Sequence, residues 1–223
     1  MPIWRASVCR DGVAMTARLA VEGLACVRGE RRVFERVDFA LGAGEALVLT
    51  GPNGAGKSSL LRTLAGLIEP AAGRIAWDGA DVAEDPEAFR AQVQAVFHAD
   101  AVKPVLTVAQ NLRFWARLRG GDDARVGRAL ERLGLARLAD VPGGVLSAGQ
   151  RRRLALARLL AAPAALWLMD EPAVTLDRDA VAALGAAIAD HRAGGGLVVV
   201  ATHGDIALAD AHRLDLGAAR GAA

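Results

Sequence analysis

The stretch GPNGAGKSS, Gly51 to Ser59, lies between two runs of different character. Before it, Glu45–Ala46–Leu47–Val48–Leu49–Thr50 is short, apolar and rich in strand formers. After it, Leu60, Leu61, Leu64 and Leu67 recur at helical spacing. A strand, a glycine-rich turn and a helix in that order turn G-x-x-x-x-G-K-S into a phosphate-binding loop. Gly51, Gly54 and Gly56 free the backbone to take positive φ and to approach a ligand closely. The amides of Gly51, Pro52–Asn53, Gly54–Ala55, Gly56 and Lys57–Ser58–Ser59 then surround a polyphosphate at a helix N-terminus, where the helix dipole favours negative charge. Proline contributes no N–H to that ring. Lys57 is placed for the β- and γ-phosphates and Ser58 for a magnesium ion. The stretch reads as a nucleoside triphosphate site.

Further along, Ala164 to Met169 is a fully apolar strand ending in Asp170–Glu171–Pro172. This strand is expected beside the phosphate-loop strand, which would bring Asp170 to the magnesium ion and Glu171 to a water facing the γ-phosphorus. The apolar run Leu197–Ala201 leads to His203, positioned to donate to the γ-phosphate. Ser147–Ala148–Gly149–Gln150 opens an amphipathic helix over Arg151–Leu160, so its amides make a second anion site. One triphosphate and two such helix ends per chain are reconciled if this second end caps the nucleotide of a neighbouring copy.

The remainder sets bounds. A chain of 223 residues buries a full core as one domain, and a formal charge of +2 argues against general nucleic-acid binding. Leu154–Met169, the nearest approach to a membrane span, holds Arg158 and Pro163 and is too short. Cys9 and Cys26 form no framework and have no metal-ligand spacing to histidine; reduced, intracellular thiols are expected. Residues 1–17 read as an extension outside the fold, with Met15 as an alternative start, and residues 18–223 as a single domain.

Along the chain, strands are expected over Leu19–Arg28 and Arg32–Leu41 about a Gly29–Glu30 turn, then over Arg74–Trp77 and Gln92–Phe97, with a short helix from Pro86. Thr107 to about Ala139 reads as two helices split at Gly120–Asp123, with Leu112, Trp115 and Leu118 on the core side. Phe114 and Trp115 are expected as core aromatics. Arg113, Arg117, Arg119, Arg125, Arg128 and Arg132 are expected as a solvated face, as are Arg151–Arg153. His191 and His212 read as solvated. Alternating strands and helices give an α/β fold with a largely parallel sheet.

The order GPNGAGKS, LSAGQ, LWLMDEP, TLD and ATH resembles the nucleotide-binding domain of ATP-binding-cassette (ABC) proteins over residues 18–217. The resemblance implies a P-loop NTPase (RecA-like) core, an antiparallel β subdomain and an inserted helical subdomain at about 100–160. It also implies ATP and Mg²⁺ as ligands and a head-to-tail homodimer closing over two ATP molecules. Carried onto this sequence, Lys57 and Ser58 hold phosphate and Mg²⁺, Asp170 serves the metal, Glu171 is the catalytic base and His203 a switch histidine. Ser147, Gly149 and Gln150 reach the opposite ATP, and Asp177 lies at the dimer interface.

Two positions depart from that pattern. Arg28 stands where the family has an aromatic to stack on adenine, and this chain has no Tyr; a guanidinium plane can take that place. Ala99 stands where a glutamine is usual; either His98 or Asp100 replaces it, or the coupling is different.

HADAVKPVLTVAQNL and LSAGQRRRLALARLL further resemble the bacterial cytochrome c maturation branch, the ATP-binding subunits of a haem exporter. That resemblance implies a peripheral subunit on the cytoplasmic face of the inner membrane, bound to integral membrane subunits. Its ATP hydrolysis would drive haem export or release of a haem-loaded chaperone. The alternatives are another ABC exporter and a soluble, non-transport ABC ATPase. A single cassette without a heptad run disfavours the last.

Overall fold

The computed structural model describes residues 17–202, 206 and 208–217. Residues 1–16 of the expected extension over 1–17, with Cys9, lie outside the described residues, and so does His203. From Arg18 the chain is tied in, its guanidinium paired with Asp78 at 3.0 Å.

β1 (Leu19–Arg28) and β2 (Arg31–Leu41) form an antiparallel hairpin about Gly29, φ +60°. β3 (Ala46–Thr50) runs into the phosphate loop and α1 (Lys57–Leu64). β4 (Ala72–Trp77), β5 (Ala80–Asp81), α2 (Pro86–Ala91) and β6 (Val93–Val96) follow. Next come three helices, α3 (Val108–Leu118), α4 (Asp123–Arg132) and α5 (Ala148–Ala161). The chain closes with β7 (Leu166–Asp170), α6 (Arg178–Ala193), β8 (Leu197–Ala201) and β9 (His212–Asp215).

The strands make a four-stranded antiparallel sheet, β2-β1-β4-β5, and a five-stranded parallel one, β6-β7-β8-β3-β9. Period-two alternation divides the parallel sheet between two cores. Leu47, Leu49, Leu166, Leu168, Leu197 and Val199 pack with α1 and the antiparallel sheet. Ala46, Val48, Trp167, Met169, Val198 and Val200 pack against α3, α4, α5 and α6. Both faces are covered, as a parallel sheet requires.

One expectation about strand order is corrected. β7 does not pair with β3: β8 lies between them, bonded to both. Leu197–Ala201 is buried at every position, the pattern of a central strand, and α6 carries the chain from β7 straight into that place.

Several surface readings are corrected too. α1 stops at Leu64, with Gly66 at φ +68°, so Leu67 stands 63% exposed, and Leu118 is 62% exposed at the end of α3. Phe114 and Trp115 are not core aromatics; Lys103 Nζ lies 4.9 Å from the Phe114 ring centroid and Arg158 Cζ 4.8 Å from that of Trp115. His191 is not solvated: its ring stacks on Trp167 at 3.9 Å and 5°, and burial holds its pKa below the ordinary value. His212 is half-buried, 3.4 Å from Glu45.

Arg113, Arg117, Arg125, Arg128 and Arg132 are exposed as expected; Arg119 and Arg152 are not. Leu166 N donates to Gln92 O, so even-numbered carbonyls near β6 point at β7 and odd-numbered ones at the open sheet edge. Each odd carbonyl receives a guanidinium: Val93 O from Arg119, Ala95 O from Arg158 and Phe97 O from Arg152. An edge strand is a template for unwanted pairing, and here side chains from α3's C-cap and from α5 cover it. The burial has an electrostatic cost: it lowers the Arg158 pKa to about 10, a shift opposed by nearby Asp100 and reinforced by Arg152.

Candidate nucleotide-binding site

Between the end of β3 and the start of α1 the loop bends through Gly51, Gly54 and Gly56 at φ +125°, +78° and +109°. A Cβ on Gly56 would also come within 2.9 Å of the Val33 side chain, so glycine lets the loop sit against β2. Lys57 is 8% exposed, and its Nζ donates to Gly51 O at 2.7 Å and Pro52 O at 3.4 Å, which holds the ammonium inside the loop. Ser59 is buried under the helix start.

The loop opens on a cavity of about 410 Å³ lined by Asn53–Ser59, Asp170, Glu171, Arg28, Arg31 and Val33. Phosphate loop, acidic pair and hairpin arginine are therefore brought together although β7 and β3 are not neighbours. Asp170, 5% exposed, ends β7. Glu171 takes φ +46°, a conformation that costs a non-glycine residue on the order of 1–3 kcal/mol unless its surroundings impose it. Its N–H donates to Ala201 O at 2.8 Å, and its carbonyl accepts from Arg152 Nη2 at 2.8 Å.

The donor set fits magnesium. Ser58 and Asp170 line the same cavity, and no group of three or more His, Cys, Asp or Glu residues suited to a metal exists among the described residues. A cation held there would take one hydroxyl and one carboxylate from the chain and would leave its other positions to phosphate and water, as Mg²⁺ prefers.

Other expected site residues lie elsewhere. Ser147 and Gln150 cap α5 reciprocally: Ser147 Oγ accepts from Gln150 N at 3.2 Å, and Gln150 Oε1 from Ser147 N at 2.8 Å. Here α5 starts at Ala148, before the expected Arg151, because that cap closes on Ser147. Gly149 packs against the turn after β7, where a Cβ would meet Thr175 O at 2.9 Å. Asp177 caps α6 through Ala180 N at 2.8 Å and is exposed. None of these four lines the phosphate cavity.

On its other side Glu171 borders a recess of about 180 Å³ with His98, Asp100, Ala148, Arg151, Arg152, Val174 and Thr175. Of the two replacements considered for position 99, Asp100 is engaged by Arg152 at 3.2 Å. His98 is exposed at that recess. Sequence reasoning missed Arg31 and Arg152. The second left a signal: Leu154–Leu159 is apolar around the whole helix, so arginines in or beside that run have to be paired inside.

A phosphate loop feeding a helix, an acidic pair at the end of another strand of the same sheet and a separately capped LSAGQ helix are features of ATP-binding cassettes. The chain belongs to the ABC transporter family, whose pattern it matches over residues 34–174. Two solved structures share the fold. "Structure of ATP binding subunit of ABC transporter" has a TM-score of 0.77 and 30% identity, with 84% of this chain and 80% of that one covered. A putative ABC transporter ATP-binding protein from Pyrococcus furiosus has a TM-score of 0.76 and 25% identity, with 89% and 96% covered.

Within that family the chain groups with the cytochrome c biogenesis ATP-binding export proteins named CcmA. It is 57% identical over 201 residues to that of Paramagnetospirillum magneticum (88% of this chain, 93% of the relative). It is 56% identical over 200 residues to that of Rhodospirillum rubrum (90% and 86%). Among the described residues no helix is long and apolar enough to cross a membrane.

Proposed function

We propose that this chain is the ATP-hydrolysing subunit of a membrane ABC complex for cytochrome c biogenesis, coupling ATP binding and hydrolysis to haem export or to release of a haem-loaded chaperone. The observation that carries the reading is the single cavity that unites Lys57, Ser58, Asp170 and Glu171, in a chain that is half or more identical to named export proteins. In this reading the loop amides and Lys57 bind the triphosphate, and Ser58 with Asp170 holds Mg²⁺, which neutralises phosphate charge. Glu171 orients and deprotonates the attacking water. His203 contacts the γ-phosphate. Ser147, Gly149 and Gln150 serve the ATP of a second copy arranged head to tail, with Asp177 at that interface. Their absence from the chain's own phosphate cavity supports this division. The complex sits with this subunit on the cytoplasmic face of the inner membrane, bound to integral membrane subunits and to no nucleic acid.

Co-purification from detergent-solubilised membranes tests the reading: integral membrane proteins should accompany the chain, and haem in the complex should depend on ATP. Recovery of the chain alone, with no effect of ATP on bound haem, would contradict it.

Arg28 and Arg31, and no aromatic residue, are among the residues that line the cavity. Arg28 then stacks on the base, worth about 0.5–1 kcal/mol at an exposed site. Arg28→Ala should raise the KM for ATP about two- to fivefold with little change in kcat, measured by phosphate release. An unaltered KM would remove Arg28 from the base site.

A further inference from the structure

Arg152 is 4% exposed, and it spends every N–H it has. Its Nε donates to Pro172 O at 3.3 Å. Nη1 donates to Phe97 O at 2.7 Å and Asp100 Oδ1 at 3.2 Å. Nη2 donates to Asp170 O and Glu171 O, each at 2.8 Å. One planar group on α5 thus bonds the segment that leaves β6 and the segment that leaves β7. Few side chains could substitute: an ammonium is a point charge with three donors and cannot reproduce the fork. A buried charge this committed is costly to break, because the cation would be left without partners.

The Glu171 end of this arrangement is the strained one. Its φ of +46° is maintained by restraints on both sides of the residue, the Ala201 carbonyl at its N–H and the Arg152 guanidinium at its C=O. The other end carries Asp100 and, beside it, His98, which borders the same recess as the Glu171 side chain. Meanwhile α5, capped by Ser147, follows β6 only after α3 and α4, so the same guanidinium ties the LSAGQ helix to both strand ends.

We propose that Arg152 is the positioning residue that locks the backbone of Glu171 to the Phe97–Asp100 segment, so that these two strand exits and the start of α5 move only as a unit. The inference rests on the reading of Glu171 as the base. It makes Arg152 act on hydrolysis through Glu171 more than on nucleotide binding, since none of its hydrogen bonds goes to Gly51–Ser59 and its bond at Asp170 is to the backbone carbonyl and not to the carboxylate.

The test is a double-mutant cycle on kcat with Arg152→Lys and Glu171→Gln, run beside ATP affinity. A misplacement of about 1 Å can cost about 10²-fold in rate, so Arg152→Lys should lower kcat about 10- to 100-fold while the ATP Kd stays within about threefold. In the double variant it should add almost nothing, because the lost positioning concerns a group already disabled. Full multiplication of the two effects would overturn the inference while leaving the base assignment intact. Unchanged turnover in Glu171→Gln alone would instead remove the base assignment.

Amide hydrogen exchange supplies a readout independent of turnover. Residues 97–103 and 171–174 should lose protection together in Arg152→Lys; loss in one segment only would overturn the lock. If Arg152→Lys does not fold, Asp100→Asn decides. It weakens the attachment on one side, and the lock requires 171–174 to loosen as well. Unchanged protection there would overturn the lock.

Discussion

Glu171→Gln is expected to bind ATP as the unaltered chain does and to hydrolyse it about 10²–10³-fold more slowly. That magnitude is typical of losing one well-placed group acting on developing charge in a transition state. The isosteric amide keeps the shape of the cavity wall and leaves the backbone bonds to Ala201 and Arg152 in place. What disappears is the carboxylate that, in the proposed reading, accepts a proton from water. Turnover by phosphate release and ATP affinity by fluorescence titration separate the two effects. A variant with unchanged turnover would show that the base lies elsewhere, and His98, at the recess that Glu171 borders, would be the next residue to test.

Lys57→Ala should act one step earlier. Its ammonium is held 2.7 Å from Gly51 O inside a ring of loop amides, where it is the one cation among the loop residues Gly51–Ser59. Hydrogen bonds to charged groups contribute about 1.5–3 kcal/mol each, and Lys57 faces two phosphates in the proposed complex. ATP affinity is therefore expected to fall by at least about 10²-fold, with turnover undetectable at ordinary ATP concentrations. Calorimetric titration reads this directly. Binding within threefold of the unaltered chain would mean that the loop does not cradle the triphosphate.

The parts of this site that sequence revealed are those whose chemistry is local. GPNGAGKSS needs its glycines and its lysine within nine residues, and a strand before and a helix after make the reading specific. LSAGQ is likewise self-contained, because Ser147 and Gln150 satisfy each other's backbone within one turn. Strand order is different. Nothing in the residues of β7 says which apolar run pairs with it, and β8 took the place expected for β3.

Arg152 and Arg119 escaped for a related reason. Their partners are backbone carbonyls at Phe97 and Val93, which carry no sequence signal at all. His191 looked polar and solvated because its stacking partner, Trp167, lies on a strand far away in the chain. Arg31 joined the cavity only because the β1–β2 hairpin folds it opposite Arg28.

In the proposed complex two copies close over ATP, each supplying its phosphate loop to one molecule and its LSAGQ helix to the other. The most direct test is the mass of Glu171→Gln by sedimentation with Mg²⁺ and ATP, alone and with co-purified membrane subunits. A dimer holding two ATP, dispersed by ADP, is the expected result. A chain that stayed monomeric in both settings, with ATP bound, would contradict the claim.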